Sequence, residues 1–422
     1  MGQVIFKDQV GIILYSYNNP YMSVFNQEEK NLILIQAMDY FSAALAGIFV
    51  TVYFFSHSDL KTTIFYNLIV YITLLFFYVA SGWTLKKVSS ALLIRISLFS
   101  SALFYLALFL LKEQSVKFIF PLGLLSGFSA GNYWAGFNLN QYLFTNKEKR
   151  VEYFGSVTGI INLLSAFAPF IGGAIISLFA SFSMFGREAG YSFLFFLVFM
   201  LLMIKVFLVG KLPSHEIPNF SYQHIIFHKR SRIWKLILWQ QIFLGLYDTS
   251  LLTVTSILFF LILKNEFNLG GVQTIAYILG AIGSTISIKV LNKNKNFYWV
   301  GSLGLAIGIG LFALLKNWYG IIFFIIVTGF CAPFLNNWLS SVYFKTLDEV
   351  DIHWTEKYHL MLERDIALGI PRILSFLFLF LFLQFGNQIK LAQLWLYLLP
   401  FIPLILGLLL NKMSYEPKKD LI

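Results

Sequence analysis

Apolar residues run along the chain in blocks of about 20, the length a helix needs to cross the ~30 Å hydrocarbon layer of a bilayer. Short polar loops separate them. The blocks predict transmembrane helices at 32–55, 63–83, 91–111, 117–143, 155–180 and 191–210 in a first half. A second half holds further spans at 234–263, 270–289, 298–315, 319–344, 366–386 and 389–410. Strands of a membrane barrel would instead alternate apolar and polar residues over only ~10 positions. The pattern predicts an all-α polytopic membrane protein with twelve transmembrane helices.

Composition agrees with the pattern. Of 422 residues, 58% are hydrophobic and 12% charged, where a soluble domain carries about 25% charged residues. The net charge of +11 could suggest nucleic acid, but the charge sits in short loops between apolar blocks. Counting Lys and Arg, the tails and even-numbered loops hold 21 and the odd loops 7, with Arg95, Lys205 and Arg372 inside spans. The cytoplasmic side of a membrane protein gathers such residues, so both termini are expected in the cytoplasm and the chain in the plasma membrane. The single Cys331 excludes a disulfide framework within one chain. No removable targeting segment is visible. Residues 1–31 read as a cytoplasmic tail, with Met22 a natural start. Residues 32–210 and 234–410 read as two six-helix units, 211–233 as a cytoplasmic linker and 411–422 as a tail.

An internal repeat ties the halves together. QAMDYFSAALAGIFVTVYFF in span one matches GLYDTSLLTVTSILFFLIL in span seven, placing Asp39 over Asp248. LLSGFSAGNYW in span four matches IVTGFCAPFLN in span ten through Gly127-Phe128 and Gly329-Phe330. Parallel six-helix repeats enclosing a site near the midplane are one transporter architecture.

On these residues the chain resembles the major facilitator superfamily over 32–410. SAFAPFIGGAI in span five carries Pro169, Gly172 and Gly173 of the family's Pro-x-x-Gly-Gly antiporter core, with Ala168 where the preceding glycine belongs. The family's loop motif between spans two and three is degraded: GWTLKKVSS keeps Gly82 and Lys87 but has Lys86 in the place of the aspartate and Ser89 for the second glycine. The resemblance implies two pseudo-symmetric six-helix bundles, a monomer, and alternating access about a central site. It supplies no substrate.

Several residues carry candidate chemistry. Acids inside a membrane usually face a wet cavity and often move protons, so Asp39 and Asp248 are candidate proton-coupling residues; structural ion pairs are the plain alternative. In span four, Ser129, Asn132, Gly136 and Asn140 share one helix face by their 3-4-4 spacing, with Tyr133 and Trp134 beside them. Amides and rings suit hydroxylated or sugar-bearing ligands; interhelical hydrogen bonding is the competing use. Span ten repeats the idea with Asn336, Ser340 and Asn337. Gln36, Gln241 and Tyr247 extend the candidate substrate set. Arg372, beside Pro371, calls for an anionic ligand group or a buried acid such as Asp248 or Asp365. Arg95 and Lys205 are expected to snorkel to the headgroups. All six histidines are expected in loops. His224 and His228 have a metal-compatible spacing but no third ligand, so the linker reads as a helix on anionic headgroups and neither metal nor cofactor is expected.

The functional expectation is a secondary transporter coupled to protons, exporting a small or amphipathic organic molecule and contacting membrane lipids. A flippase for a lipid-linked sugar or phospholipid is the alternative within that class. A membrane transferase or a non-transporting sensor is the alternative outside it. The longest internal loop holds about 25 residues and no Gly-rich phosphate loop follows a strand, which weighs against the transferase.

Overall fold

The computed structural model describes residues 27–144, 150–182, 186–209, 212, 215–217, 220–350 and 354–414. Most of the expected N-terminal tail, residues 415–422, His353 and the side chain of His224 lie outside them. Among the described residues all regular elements are helical. The first half comprises α1 (Gln27–His57), α2 (Leu60–Thr84), α3 (Ser90–Leu111), α4 (Ile119–Phe144), α5 (Arg150–Ser165), α6 (Ala168–Ser181) and α7 (Gly186–Leu208). After a short α8 (Tyr222–Phe227), the second half runs α9 (Arg232–Leu263), α10 (Glu266–Lys293), α11 (Tyr298–Leu315), α12 (Trp318–Glu349), α13 (Trp354–Phe382), α14 (Gln388–Trp395) and α15 (Phe401–Ser414).

Among the described residues, ten segments are long and apolar enough to cross a membrane, and one of these, Ser90–Leu143, is 54 residues long. At 1.5 Å per residue it would span about 80 Å. It instead folds back at a 3₁₀ turn, Lys112–Phe118, so that α3 packs along α4. The remaining crossing ends in the shorter apolar helix Phe401–Met413. The result is twelve crossings in two six-helix bundles, two of the crossings being broken.

The breaks have local causes. Crossing five was expected as one helix over 155–180, but it divides into α5 and α6 at Ala166-Phe167, with Pro169 in the first turn of α6. Proline lacks the N–H a helix interior needs, yet fits a first turn. Crossing twelve divides between α14 and α15 ahead of Pro400. There the Tyr397 and Leu398 amides reach back only three residues, to Leu394 and Trp395, at 3.1 Å each. Several helices outrun their expected spans: α1 starts at Gln27, α12 continues to Glu349 and α13 starts at Trp354. Two histidines expected in loops are therefore helical, His57 at the end of α1 and His359 near the start of α13. Helix starts are fixed by short polar caps; Ser89, Ser231, Asn265, Asn317 and Asn387 each accept a first-turn amide.

The sequence repeat is visible in the packing. Gly127 lets α4 lie against the Val70 carbonyl of α2, and Gly329 lets α12 lie against the Ala276 carbonyl of α10. A side chain at Gly304 or Gly308 of α11 would meet Cys331 or Thr328 of α12, the close approach expected of small residues in membrane helices. The helices preceding α4 and α12 also end alike: Lys112 and Lys316 both have φ of 50° and donate to the carbonyl four residues back.

The bundles meet along α2 with α13 and along α5–α6 with α10. Within the linker the short helix Tyr222–Phe227 forms, and two segments are tied to the bundles. The linker is strapped across both: the Ile217 amide donates to the Leu85 carbonyl (2.8 Å), and the Ser221 amide to His359 Nε2 (3.0 Å). Phe220 stacks on His359 and fills the space above Gly82. Gly82, which survives from the degraded loop motif, is thus the floor under this ring.

Candidate functional site

The first candidate acid is held by a base that the sequence assigned elsewhere. Asp39 lies about 18 Å along α1, at 1.5 Å per residue, and pairs with Lys205 of α7. Lys205 does not snorkel: its side chain is 0% exposed and Asp39 is its salt-bridge partner, 24% exposed. Position 205 follows a run of apolar residues near the end of α7, which suggests an interfacial lysine; tertiary packing turns it inward instead. The Asp39 carboxylate borders a cavity of about 150 Å³, with Ser97, Ser101, Tyr105, Ser126, Ser129 and Tyr133 in its wall. The Tyr133 hydroxyl lies beside the carboxylate.

Asp248, mid-way along α9, receives the Arg372 guanidinium of α13. Arg372 Nε lies 3.3 and 3.2 Å from the two carboxylate oxygens and Nη2 donates to Oδ2. This bidentate geometry suits Arg and not Lys. The guanidinium also lies 5.7 Å from the Tyr71 ring of α2, so the pair touches the seam between the bundles. Of the two acids left open as partners, Arg372 takes Asp248. The repeat preserves the acid but not its base: Lys205 comes from the sixth crossing of its half, Arg372 from the fifth.

A polar cavity of about 260 Å³ lies between the bundles. Gln36 and Tyr40 of α1, Trp134, Asn138 and Gln141 of α4, and Thr158 and Asn162 of α5 wall it on one side. Ser340, Tyr343, Phe344, Met361 and Arg364 of α12 and α13 wall it on the other. Two of its polar atoms, Gln36 Oε1 and Arg364 Nε, are buried without a hydrogen-bond partner in the protein. Arg364 Nη1 is 2.8 Å from Asp365, so the charge on this wall is balanced.

Apart from Ser129 and Tyr133 at the Asp39 cavity, the remaining predicted residues border neither cavity. Ser129 and Ser97 exchange hydroxyl-to-carbonyl hydrogen bonds of 2.8 and 2.5 Å, and Asn140 accepts from Ser90 at 2.7 Å. Asn132 donates to its own helix at Phe128. That face of α4 is the packing surface for α3. The cavity is served by Trp134, Asn138 and Gln141, about 200° around the helix, a 4-3 spacing present in the same stretch of sequence. Asn337 donates to Ser284 and Ser287 of α10 at 3.2 and 2.9 Å; Asn336 is exposed, one turn before Ser340 on the same side of α12. Gln241 and Tyr247 are buried but do not border either cavity. Asp348, just beyond the expected end of span ten, is buried and accepts from Tyr142 at 3.3 Å. Arg95 is exposed, in keeping with its expected place.

Hydrogen bonds close the bundle seam on both sides of the large cavity. At the face where α1 begins, Tyr78 donates to Asp365, Asn138 lies 3.5 Å from the same oxygen, and Ser81 meets Tyr358 at 2.7 Å. At the opposite face, Gln388 bonds Asp59 (2.8 Å) and the Lys61 amide (3.0 Å). There Arg187 Nε and the Tyr191 hydroxyl also reach Glu266 at 2.6 and 2.7 Å.

Twelve crossings, a two-fold repeat and a polar cavity between the bundles invite comparison with known transporters, and the family model of the Major Facilitator Superfamily matches residues 32–349. The chain belongs to the major facilitator superfamily. Superfamily membership makes it a multi-pass membrane transporter rather than an enzyme. It is 27% identical over 177 residues, 41% of its length and 79% of the relative's, to an uncharacterised protein in the sodM 3′ region of Geobacillus stearothermophilus. It is 26% identical over 244 residues to the uncharacterised YqgE of Bacillus subtilis, with 57% of this chain and 55% of that one covered. Among solved structures it resembles tetrameric PepTSo2 (TM-score 0.66, 12% identity, 93% and 99% covered). A bacterial homologue of the iron transporter ferroportin in its outward-facing state gives 0.63 at 14% identity, with 93% and 100% covered. The E. coli fucose:proton symporter gives 0.61 at 13%, with 90% and 98% covered. At these identities the structural likeness shows the fold alone.

Proposed function

We propose that this superfamily member exports a small polar or amphipathic organic molecule by alternating access, driven by protons. The observation that carries the reading is the inter-bundle cavity, whose buried Gln36 Oε1 and Arg364 Nε lack protein partners. Such atoms are costly unless something binds them. With Asp365 balancing Arg364 and amides along the wall, the cavity selects a ligand of little net charge that offers both donors and acceptors. Trp134, Tyr343 and Phe344 provide its apolar side.

Protons act at the two acids. Protonating Asp39 removes the counter-charge of Lys205, and protonating Asp248 releases Arg372 at the bundle seam. Each event changes which arrangement of the bundles is favoured. The partial Pro-x-x-Gly-Gly core supports export over import; in it Gly173 of α6 rests on the Glu266 carbonyl of α10, and Gly270 of α10 on the Pro169 carbonyl. This tight contact is the surface along which the bundles rock. A lipid-linked substrate is a second reading, favoured by an apolar groove of about 500 Å³ lined by Phe170, Ile171, Leu178 and Phe267.

The test is flux in proteoliposomes under an imposed pH gradient, with water-soluble and lipid-linked candidates in parallel. Gradient-driven transport is expected in the parent and lost in Asp39→Asn and Asp248→Asn. Full gradient-driven flux in the double variant would remove the proton scheme, and flux confined to lipid-linked candidates would replace the small-molecule reading with the second one.

A further inference from the structure

We propose that His57, Glu113 and Glu188 form a divalent-cation site at the face opposite the start of α1, suited to an ion such as Zn²⁺ or Mn²⁺. This site lies apart from the transport cavity and does not depend on the reading of it. The last residue of α1, the 3₁₀ turn between α3 and α4, and the first turn of α7 each supply one ligand. Their donor atoms all lie within 4.8 Å of one another. His57 Nε2 is 3.4 Å from Glu188 Oε2 and 3.9 Å from Glu113 Oε1. Ligands about 2.0–2.2 Å from a tetrahedral ion stand roughly 3.3–3.6 Å apart. The His57–Glu188 edge already has that length, and the exposed Glu113 side chain closes the remainder by a small rotation.

The surroundings of the ligands fix the chemistry. His57 Nδ1 is 2.9 Å from the Tyr53 carbonyl. A carbonyl only accepts, so this nitrogen carries the hydrogen and Nε2 turns toward the two carboxylates. An imidazole anchored in this way is the usual arrangement of a metal-bound histidine. The other oxygen of Glu188 is likewise anchored, accepting from the Tyr53 hydroxyl at 2.5 Å. Nε2 therefore faces acceptors, a gap filled by a second imidazole proton or by a metal ion. A second observation points to an ion with further ligands rather than to a proton alone. Ser115 Oγ, fully buried beside the Tyr53 hydroxyl at the edge of the cluster, offers a further oxygen to such an ion. One nitrogen and two carboxylates favour Zn²⁺ or Mn²⁺ over Ca²⁺, which prefers an all-oxygen shell. Glu113 is 68% exposed, so the ion has a path from the aqueous side. Once bound, it clamps α1, the turn and α7 together next to Arg187, whose guanidinium crosses to Glu266 of the other bundle.

The experiment is calorimetric titration of the full-length, detergent-purified, chelator-stripped protein with Zn²⁺ and Mn²⁺, with Ca²⁺ in parallel. One saturable Zn²⁺ site is expected, accompanied by a rise in unfolding temperature, with Ca²⁺ at least tenfold weaker. Glu113→Gln alters a surface side chain and leaves folding intact; it should weaken Zn²⁺ binding at least tenfold, and His57→Gln should abolish it. His224→Gln in the linker should leave the isotherm unchanged. No saturable binding to the parent overturns the proposal, as does unaltered affinity in Glu113→Gln and His57→Gln, or binding lost in His224→Gln.

Discussion

Replacing Asp39 by Asn leaves the Lys205 ammonium, 0% exposed, buried without its counter-charge. Removing one partner of a buried pair costs about 3–5 kcal/mol, whereas replacing both is often neutral or stabilising. The two single variants should differ. Lys205→Met leaves the carboxylate, which is 24% exposed and borders a cavity where water or a proton can relieve it, so its cost falls toward the ~1–3 kcal/mol of an unsatisfied polar group. If the first bundle unfolds as a unit of about 180 residues, each kcal/mol lowers the midpoint by about 2–4 °C. Asp39→Asn should then lose on the order of 6–20 °C, Lys205→Met roughly half as much, and the double variant should recover most of the loss. The assay is thermal unfolding of the purified protein, read as a double-mutant cycle. Strictly additive losses, or a Lys205→Met loss larger than that of Asp39→Asn, would refute the placement of this pair.

Other consequences can be checked separately. Arg372→Lys keeps the charge but not the two-pronged contact with Asp248, so transport should fall well below the parent while remaining above Arg372→Gln, read as initial flux. Glu266→Gln weakens the Arg187–Tyr191 latch and should open the seam at that face; a cysteine at the buried Thr274, in a Cys331→Ser background, should then react faster with maleimide. Gly173→Leu drives a side chain into the Glu266 backbone, and overpacking of this kind costs about 1–3 kcal/mol or more, visible as a lower unfolding midpoint. At the loop between α1 and α2, burial raises the pKa of Asp59, but hydrogen bonds from Gln388 and Thr62 outweigh it and hold the carboxyl below its ordinary 3.8. A depressed carboxyl stabilises above its unfolded value and loses that contribution as pH falls through the folded one. Gln388→Ala should therefore weaken the parent at pH 5–8 and make little difference below pH 3, measured by unfolding temperature across pH.

Much of the site was half-legible. The stretch SGFSAGNYWAGFNLNQY announces a functional helix, but two of its faces carry polar residues. Ser129, Asn132, Gly136 and Asn140 combine small size with hydrogen-bonding groups, as does any helix contact inside a membrane, and α3 takes that face. Trp134, Asn138 and Gln141 reach the cavity. Span ten divides likewise: Ser340 borders the cavity, while Asn337, three residues before it, bonds α10. Arg364, in the cavity wall, lies before the apolar run of span eleven and reads as a loop cation until α13 is seen to begin at Trp354.

The sequence alone determined the number of crossings, the helical class, the two-fold repeat and the recurrence of an acid in both halves. These depend on the period and length of apolar runs and on local charge, which a bilayer reads directly. Tertiary structure decided which base each acid holds, which face of α4 borders the cavity, that Lys205 turns inward, and that the linker straps both bundles. The reason is that polar side chains in a membrane must find partners, and the choice among partners depends on residues distant in the chain, 166 positions apart for Asp39 and Lys205, which periodicity cannot register.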